Sequence, residues 1–139
     1  MPVTLSKRHD KNKMTRTLGG PLMKNHNFLR RLGYALAGIR ISWRTERTFR
    51  TLSLGMGFIL AILVVTRPVP IWWAVLLLTA GSVVALELIN TAVEKLIDHV
   101  HPDQHEIVGI VKDTLAGAVL TMSITSLLVF AAFAVSLIL

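Results

Sequence analysis

Residues 68–86 read Pro68-Val-Pro-Ile-Trp-Trp-Ala-Val-Leu-Leu-Leu-Thr-Ala-Gly-Ser-Val-Val-Ala-Leu86, and the chain runs on directly as Glu87-Leu-Ile-Asn90-Thr-Ala-Val-Glu94-Lys-Leu-Ile-Asp98. The first part is nineteen residues without a charge. A helix crossing the hydrocarbon of a bilayer needs about 20 apolar residues. Two further uncharged runs flank it, sixteen residues from Thr51 to Thr66 and twenty-six from Thr114 to Leu139. The last meets the length outright. The first meets it if its helix begins near Thr48 and Arg50 snorkels toward the headgroups. A water-soluble helical bundle would need a polar face, and Leu127 to Leu139 offers only one serine. The expected fold class is therefore all-α integral membrane, with three transmembrane helices at about 48–66, 69–94 and 112–138.

The rest of the chain explains why a greasy protein is also basic. Its 139 residues are 53% hydrophobic, with a mean hydropathy of +0.59 and a formal charge of +7. Residues 1 to 50 hold twelve of the fifteen Lys and Arg against Asp10 and Glu46, a balance of +10; the remainder holds three basic and six acidic residues, a balance of −3. Basic residues gather on the cytoplasmic side of spans. That places the amino end in the cytoplasm and, after three crossings, the carboxyl end outside. Arg67-Pro68-Val69-Pro70 becomes a tight external turn with Trp72-Trp73 as interfacial anchor. No secretory signal fits, because the first fifty residues contain no continuous apolar stretch. With no cysteine, a disulfide framework, a thiolate metal site and a cysteine nucleophile are excluded.

The basic head divides at Gly19-Gly20-Pro21. Residues 1–25 show no apolar period and read as a disordered tail suited to anionic lipid or nucleic acid, and Met23 is an alternative start. From Phe28 the pattern changes. Phe28, Leu32, Ala35, Leu36, Ile39 and Trp43 recur at steps of three and four, with Arg30, Arg40 and Arg44 elsewhere on the wheel, which predicts an amphipathic surface helix over about 27–46. Continued at 100° per residue, this wheel returns Glu46 and Arg50 to the apolar face. Residues 26–139 thus form one membrane domain behind the tail.

Chemistry is concentrated where the second span ends. Steps of three, four and four put Glu87, Asn90, Glu94 and Asp98 on one stripe of a helix. A carboxylate at that depth costs about 2–3 kcal/mol on insertion scales, which makes function the default reading. Snorkelling, a structural polar contact between helices and the wall of an ion pathway are the alternatives. Carboxylates without cysteine suit a hard cation such as magnesium, and magnesium suits a phosphate substrate. Depth then divides the labour: Glu94 and the inward-facing Glu46 as metal ligands, the deeper Glu87 as base for a hydroxyl. Lys112-Asp113, at the start of the last span, offers a phosphate contact and an orienting acid. Other motifs carry less. His99, His101 and His105 with Asp103 sit on a short loop without ligand spacing. Gly55-Met-Gly57 and Gly117-Ala118 read as helix-packing contacts, and no Walker or kinase glycine loop is present.

The run Glu87-Leu-Ile-Asn-Thr-Ala-Val-Glu94, followed by Asp98, His105, Lys112-Asp113 and Ala116-Gly-Ala-Val119, resembles the signature of the small prokaryotic diacylglycerol kinases, a family that includes undecaprenol kinases. Gly33-Tyr34, Gly38, Arg40, Trp43, Glu46 and Phe49-Arg50 also fall where that family has them, so the resemblance covers about residues 27–139. It implies a homotrimer with shared sites in the bacterial inner membrane, moving the γ-phosphate of ATP to a lipid hydroxyl. It implies Glu87 as general base, Glu46 and Glu94 as magnesium ligands, and Asn90 as the asparagine of the same face. Tyr34, Asp103, Gln104, His105, Lys112 and Asp113 match nucleotide-contacting positions, and Arg40, Trp43, Phe49, Arg50, Asp98 and Ala116 match positions that support the site. Diacylglycerol is the first expected acceptor. Undecaprenol is the alternative, since Asn27, Ala37 and Ile110 replace basic residues of the diacylglycerol branch, and Thr45-Glu-Arg-Thr-Phe-Arg50 and Pro102 look closer to the other. A channel or scaffold without catalysis is the alternative of another class.

Overall fold

The computed structural model describes residues 28–100 and 106–138. The expectations for the tail, and those for Asn27, His101, Pro102, Asp103, Gln104 and His105, lie outside them. Among the described residues four helices follow one another: α1 Phe28–Thr45, α2 Arg47–Thr66, α3 Pro70–Val100 and α4 Glu106–Ser136. The last three are long and apolar enough to cross a membrane. The described chain divides into two units, which part between Ala37 and Gly38. In the first, residues 28–37 of α1 are exposed along their whole length.

In the second unit the helices end where the sequence demands it. Glu46 breaks α1 from α2 with an extended backbone, φ −110° and ψ 119°. The hydrogen-bond spiral nonetheless continues across it, Glu46 N–H donating to the Ser42 carbonyl (2.9 Å) and Arg50 N–H to the Glu46 carbonyl (3.3 Å). Phe49, almost fully buried, meets Trp43 edge-on across the break, with centroids 6.3 Å apart. The single wheel expected through Arg50 is therefore two wheels. One non-helical residue resets the phase, so Glu46 owes its direction to the break.

At the far end Arg67 takes the left-handed conformation (φ 47°, ψ 52°) and donates its N–H to the Leu63 carbonyl at 2.9 Å. Proline at position 68 disfavours a right-handed helical Arg67, and Pro70 opens α3 at the one helical position where a missing N–H costs nothing. Leu63, Leu76 and Phe133, all but inaccessible, close this end, with the Trp72 ring tilted against Phe133 at a centroid distance of 5.4 Å. α3 packs against both α2 and α4, and among the described residues the backbones of α2 and α4 do not approach each other closely.

Five hydroxyls inside the apolar helices bond within their own helix. Thr66, Thr79, Thr121, Ser123 and Thr125 each donate to the carbonyl four residues back, as a medium without water requires. Gly55, Gly57 and Gly117 correct the packing expectation: a Cβ added at any of them meets no atom within 4 Å. Their bareness brings no helix of the same chain closer.

The second span runs on past its apolar part. α3 has 31 residues, about 46 Å at 1.5 Å each, against about 30 Å of hydrocarbon. The segment from Asn90 to Val100, expected partly as loop, is a helical extension carrying Glu94, Asp98 and His99. Glu94, Lys95 and Leu96 are good helix formers, and neither glycine nor proline interrupts the segment.

The core at the far end yields a test. Phe→Ala costs about 3–5 kcal/mol in a water-soluble core, and less where lipid can refill the space. Phe133→Ala is expected to lower the detergent-solubilised melting temperature by several degrees, whereas Val65→Ala, at an exposed position, leaves it unchanged.

Candidate active site

At the end opposite this core, α2, α3 and α4 enclose a pocket of about 380 Å³, with Glu46, Glu87, Asn90, Glu94, Thr91 and Ala116 in its wall. The stripe on α3 supplies three of these groups. Glu46 joins them from the break, because the α2–α3 hairpin brings the start of α2 back beside the inner part of α3. Glu87, Asn90 and Thr91 are buried and Glu94 is half-buried. Over the seven residues from Glu87 to Glu94 the helix rises about 10 Å, so the stripe leads from the apolar part of α3 into its polar end.

One buried polar atom of the pocket's wall is left unpaired among the described residues. Asn90 donates Nδ2–H to Glu94 Oε1 at 3.1 Å, while its Oδ1 is buried without a partner among the described residues. A buried acceptor left unmade costs about 1–3 kcal/mol. Two carboxylates and an orphaned carboxamide oxygen are an all-oxygen donor set. Among the described residues no three acidic or histidine side chains form a closed metal cluster. Magnesium rarely needs one: it is commonly held by one or two carboxylates and completed by waters and substrate phosphates. The donors fit that ion.

Glu46 has a partner that its own sequence neighbourhood does not suggest. Lys95 Nζ lies 2.9 Å from Glu46 Oε1 and donates to Thr45 Oγ1 at 2.9 Å; Thr45 Oγ1 is in turn 3.1 Å from Glu46 Oε1 and 3.1 Å from the Ile41 carbonyl, between which its single proton chooses. The hydrogen bond from Lys95 is the main reason the Glu46 carboxyl is held below its ordinary pKa; partial burial opposes it, and Thr45 and the lysine's charge assist.

The other expected residues are placed less centrally. Ala116 reaches the pocket rim. Asp98 pairs with Lys112, which joins the outer ends of α3 and α4, and neither lines the pocket. Asp113 is exposed on α4 and Arg40 on α1, and Arg50 is half-buried on α2. Trp43 and Phe49 brace the break. Tyr34 belongs to the first unit. Lys95, Thr45, Thr48 and Thr91 are additions that the sequence reading did not select. Lys95 follows a striped acid, which is the only local hint; its contact depends on the tertiary return of Glu46.

Above the pocket, farther into the membrane, an apolar cleft of about 410 Å³ lies between α2 and α4 over α3. Gly55, Ala80 and Ser126 line it, and it shares Leu52 and Ser123 with the acidic pocket.

An all-helical membrane protein with acids gathered at one end of its spans defines the broad class. Comparison with known proteins sharpens it. The sequence profile of the prokaryotic diacylglycerol kinase family matches residues 33–134. A diacylglycerol kinase of Synechocystis is 36% identical over 115 residues, covering 78% of this chain and 66% of that protein. An undecaprenol kinase of Bacillus subtilis is 29% identical over 104 residues, covering 75% and 85%, and a diacylglycerol kinase of Escherichia coli is 31% identical over 98 residues, covering 69% and 79%. The chain belongs to the prokaryotic diacylglycerol kinase family, and so to the kinases.

The lowered Glu46 pKa has a direction that can be tested. The ion pair's contribution is fully present above the ordinary glutamate value of 4.5 and is lost as pH falls through the lower folded value. The melting-temperature difference between wild type and Glu46→Gln is expected to be flat from neutral pH down to that range. Below it the difference should shrink toward zero.

Proposed function

We propose that the protein transfers the γ-phosphate of ATP to the hydroxyl of a membrane lipid, with diacylglycerol as first acceptor and phosphatidic acid as product. The observation that carries this is the convergence of Glu46, Glu87, Asn90 and Glu94 in one pocket at the end of an apolar bundle, in a chain of this family.

Each group has a role that follows from depth. Glu87, deepest and buried, accepts the proton of a lipid hydroxyl that reaches it from the bilayer. Glu46 and Glu94 hold magnesium, with Asn90 fixing the Glu94 carboxylate through its amide. When bound, magnesium offsets charge on the β- and γ-phosphate oxygens, where phosphoryl transfer depends on positioning and electrostatics. Tyr34, Asp103, Gln104, His105 and Asp113 belong to the nucleotide side of this reading. So does Lys112, once released from Asp98. Arg40 and Arg50 support that side with positive charge. The apolar cleft, continuous with the pocket through Leu52 and Ser123, suits the lipid's chain.

Assembly and placement complete the proposal. A chain of this size with a pocket open on one side is consistent with a homotrimer whose subunits share sites. α1 lies on the inner face of the bacterial inner membrane, with the amino end cytoplasmic and the carboxyl end outside, as the +10 head requires. The Bacillus subtilis relative, covered over 85% of its length, favours undecaprenol as the second reading for the acceptor.

Purified protein offered diacylglycerol and undecaprenol side by side with labelled ATP and magnesium is expected to phosphorylate diacylglycerol. Product from undecaprenol alone would move the protein to the other branch. Glu87→Gln should lower turnover by about 10²–10⁴-fold, the usual worth of a general base, with the oligomer intact. Turnover retained in that variant would remove Glu87 from the role of base.

A further inference from the structure

The pocket's wall carries three carboxylates, from Glu46, Glu87 and Glu94, and among the described residues one cation is within ion-pair distance of any of them. That cation is Lys95, 2.9 Å from Glu46 Oε1. It does not line the pocket. It reaches the carboxylate from the outer side of α3, its side chain 49% exposed, and is steadied by Thr45 at 2.9 Å. A lysine so placed is a mobile point charge on a flexible stem, able to withdraw into water at small cost. We propose that Lys95 is a resident counter-cation of the metal site, holding Glu46 while the site is empty and making metal binding contingent on the arrival of nucleotide phosphate.

The inference rests on the assignment of Glu46 as a magnesium ligand. Its sign follows from charge alone. A divalent cation approaching Glu46 meets the ammonium at the same carboxylate, so bare metal binds more weakly than to the acids by themselves. A polyphosphate brings negative charge that the released ammonium can contact, so the penalty becomes an attraction once nucleotide is present. Lys95 thereby couples the two ligands without taking part in the transfer. It is a positioning residue. The contact also keeps Glu46 turned toward α3.

Manganese binding, followed by electron paramagnetic resonance on detergent-solubilised protein, tests this apart from turnover. Wild type, Lys95→Met, Lys95→Arg and Glu46→Gln are titrated alone and with a non-hydrolysable ATP analogue. Without nucleotide, Lys95→Met is expected to bind manganese roughly two- to fivefold more tightly, the range of a half-exposed ion pair. Its affinity gain on adding the analogue should fall by about the same factor, and Lys95→Arg should resemble wild type. Unchanged or weaker manganese binding in Lys95→Met, with oligomer and helicity retained, overturns the proposal. Manganese affinity indifferent to Glu46→Gln overturns the ligand assignment beneath it, and the proposal with it.

Discussion

One residue of extended backbone at Glu46 decides what the pocket contains. Without it α1 and α2 would form a single helix, and the carboxylate would take its direction from that helix's phase. The break turns Glu46 toward α3 while the hydrogen bonds from Glu46 and Arg50 to the preceding turn keep the chain's path nearly continuous. Trp43 and Phe49 secure it from the apolar side, and Thr45 and Lys95 from the polar side. The acid therefore has two kinds of restraint, one that survives a change of charge and one that does not.

The depth of α3 supplies the complementary constraint. A helix that enters the bilayer at Pro70 and continues to Val100 carries its acids through the boundary between two solvents. Glu87 is buried by protein and lies at the hydrocarbon edge; Glu94 is wetter. The same residue type thus meets two environments along one rigid rod, buried at Glu87 and half-buried at Glu94, separated by helical rise without any loop between them.

The sequence made much of this legible, because the strongest signals were periodic or cumulative. The three apolar runs and the stripe of Glu87, Asn90 and Glu94 needed only hydropathy and the helical repeat. The motif around Glu87 carried the family. What escaped were contacts whose partners are distant along the chain. Lys95 is fifty residues from Thr45, and nothing local announces that they meet. Lys112 reads as a free phosphate ligand until α4 brings it beside Asp98. The glycines at 55 and 57 read as packing residues because small residues often are, yet α2 and α4 stay apart and leave Gly55 facing a cleft. The phase reset at Glu46 was invisible for a different reason: a single non-helical residue leaves almost no trace in composition.

The left-handed turn at Arg67 makes the hairpin a length standard. From Glu46 the chain descends twenty residues of α2, reverses at once, and climbs α3 to Glu87 after eighteen more, so two arms of nearly equal length bring the two acids back to one pocket. A residue added to either arm would lift its acid by about 1.5 Å and swing it by about 100°, out of the pocket altogether. Side chains facing lipid can change freely under that rule. The number of residues between Glu46 and Glu87 cannot, and the tight turn with its two prolines is what keeps the count.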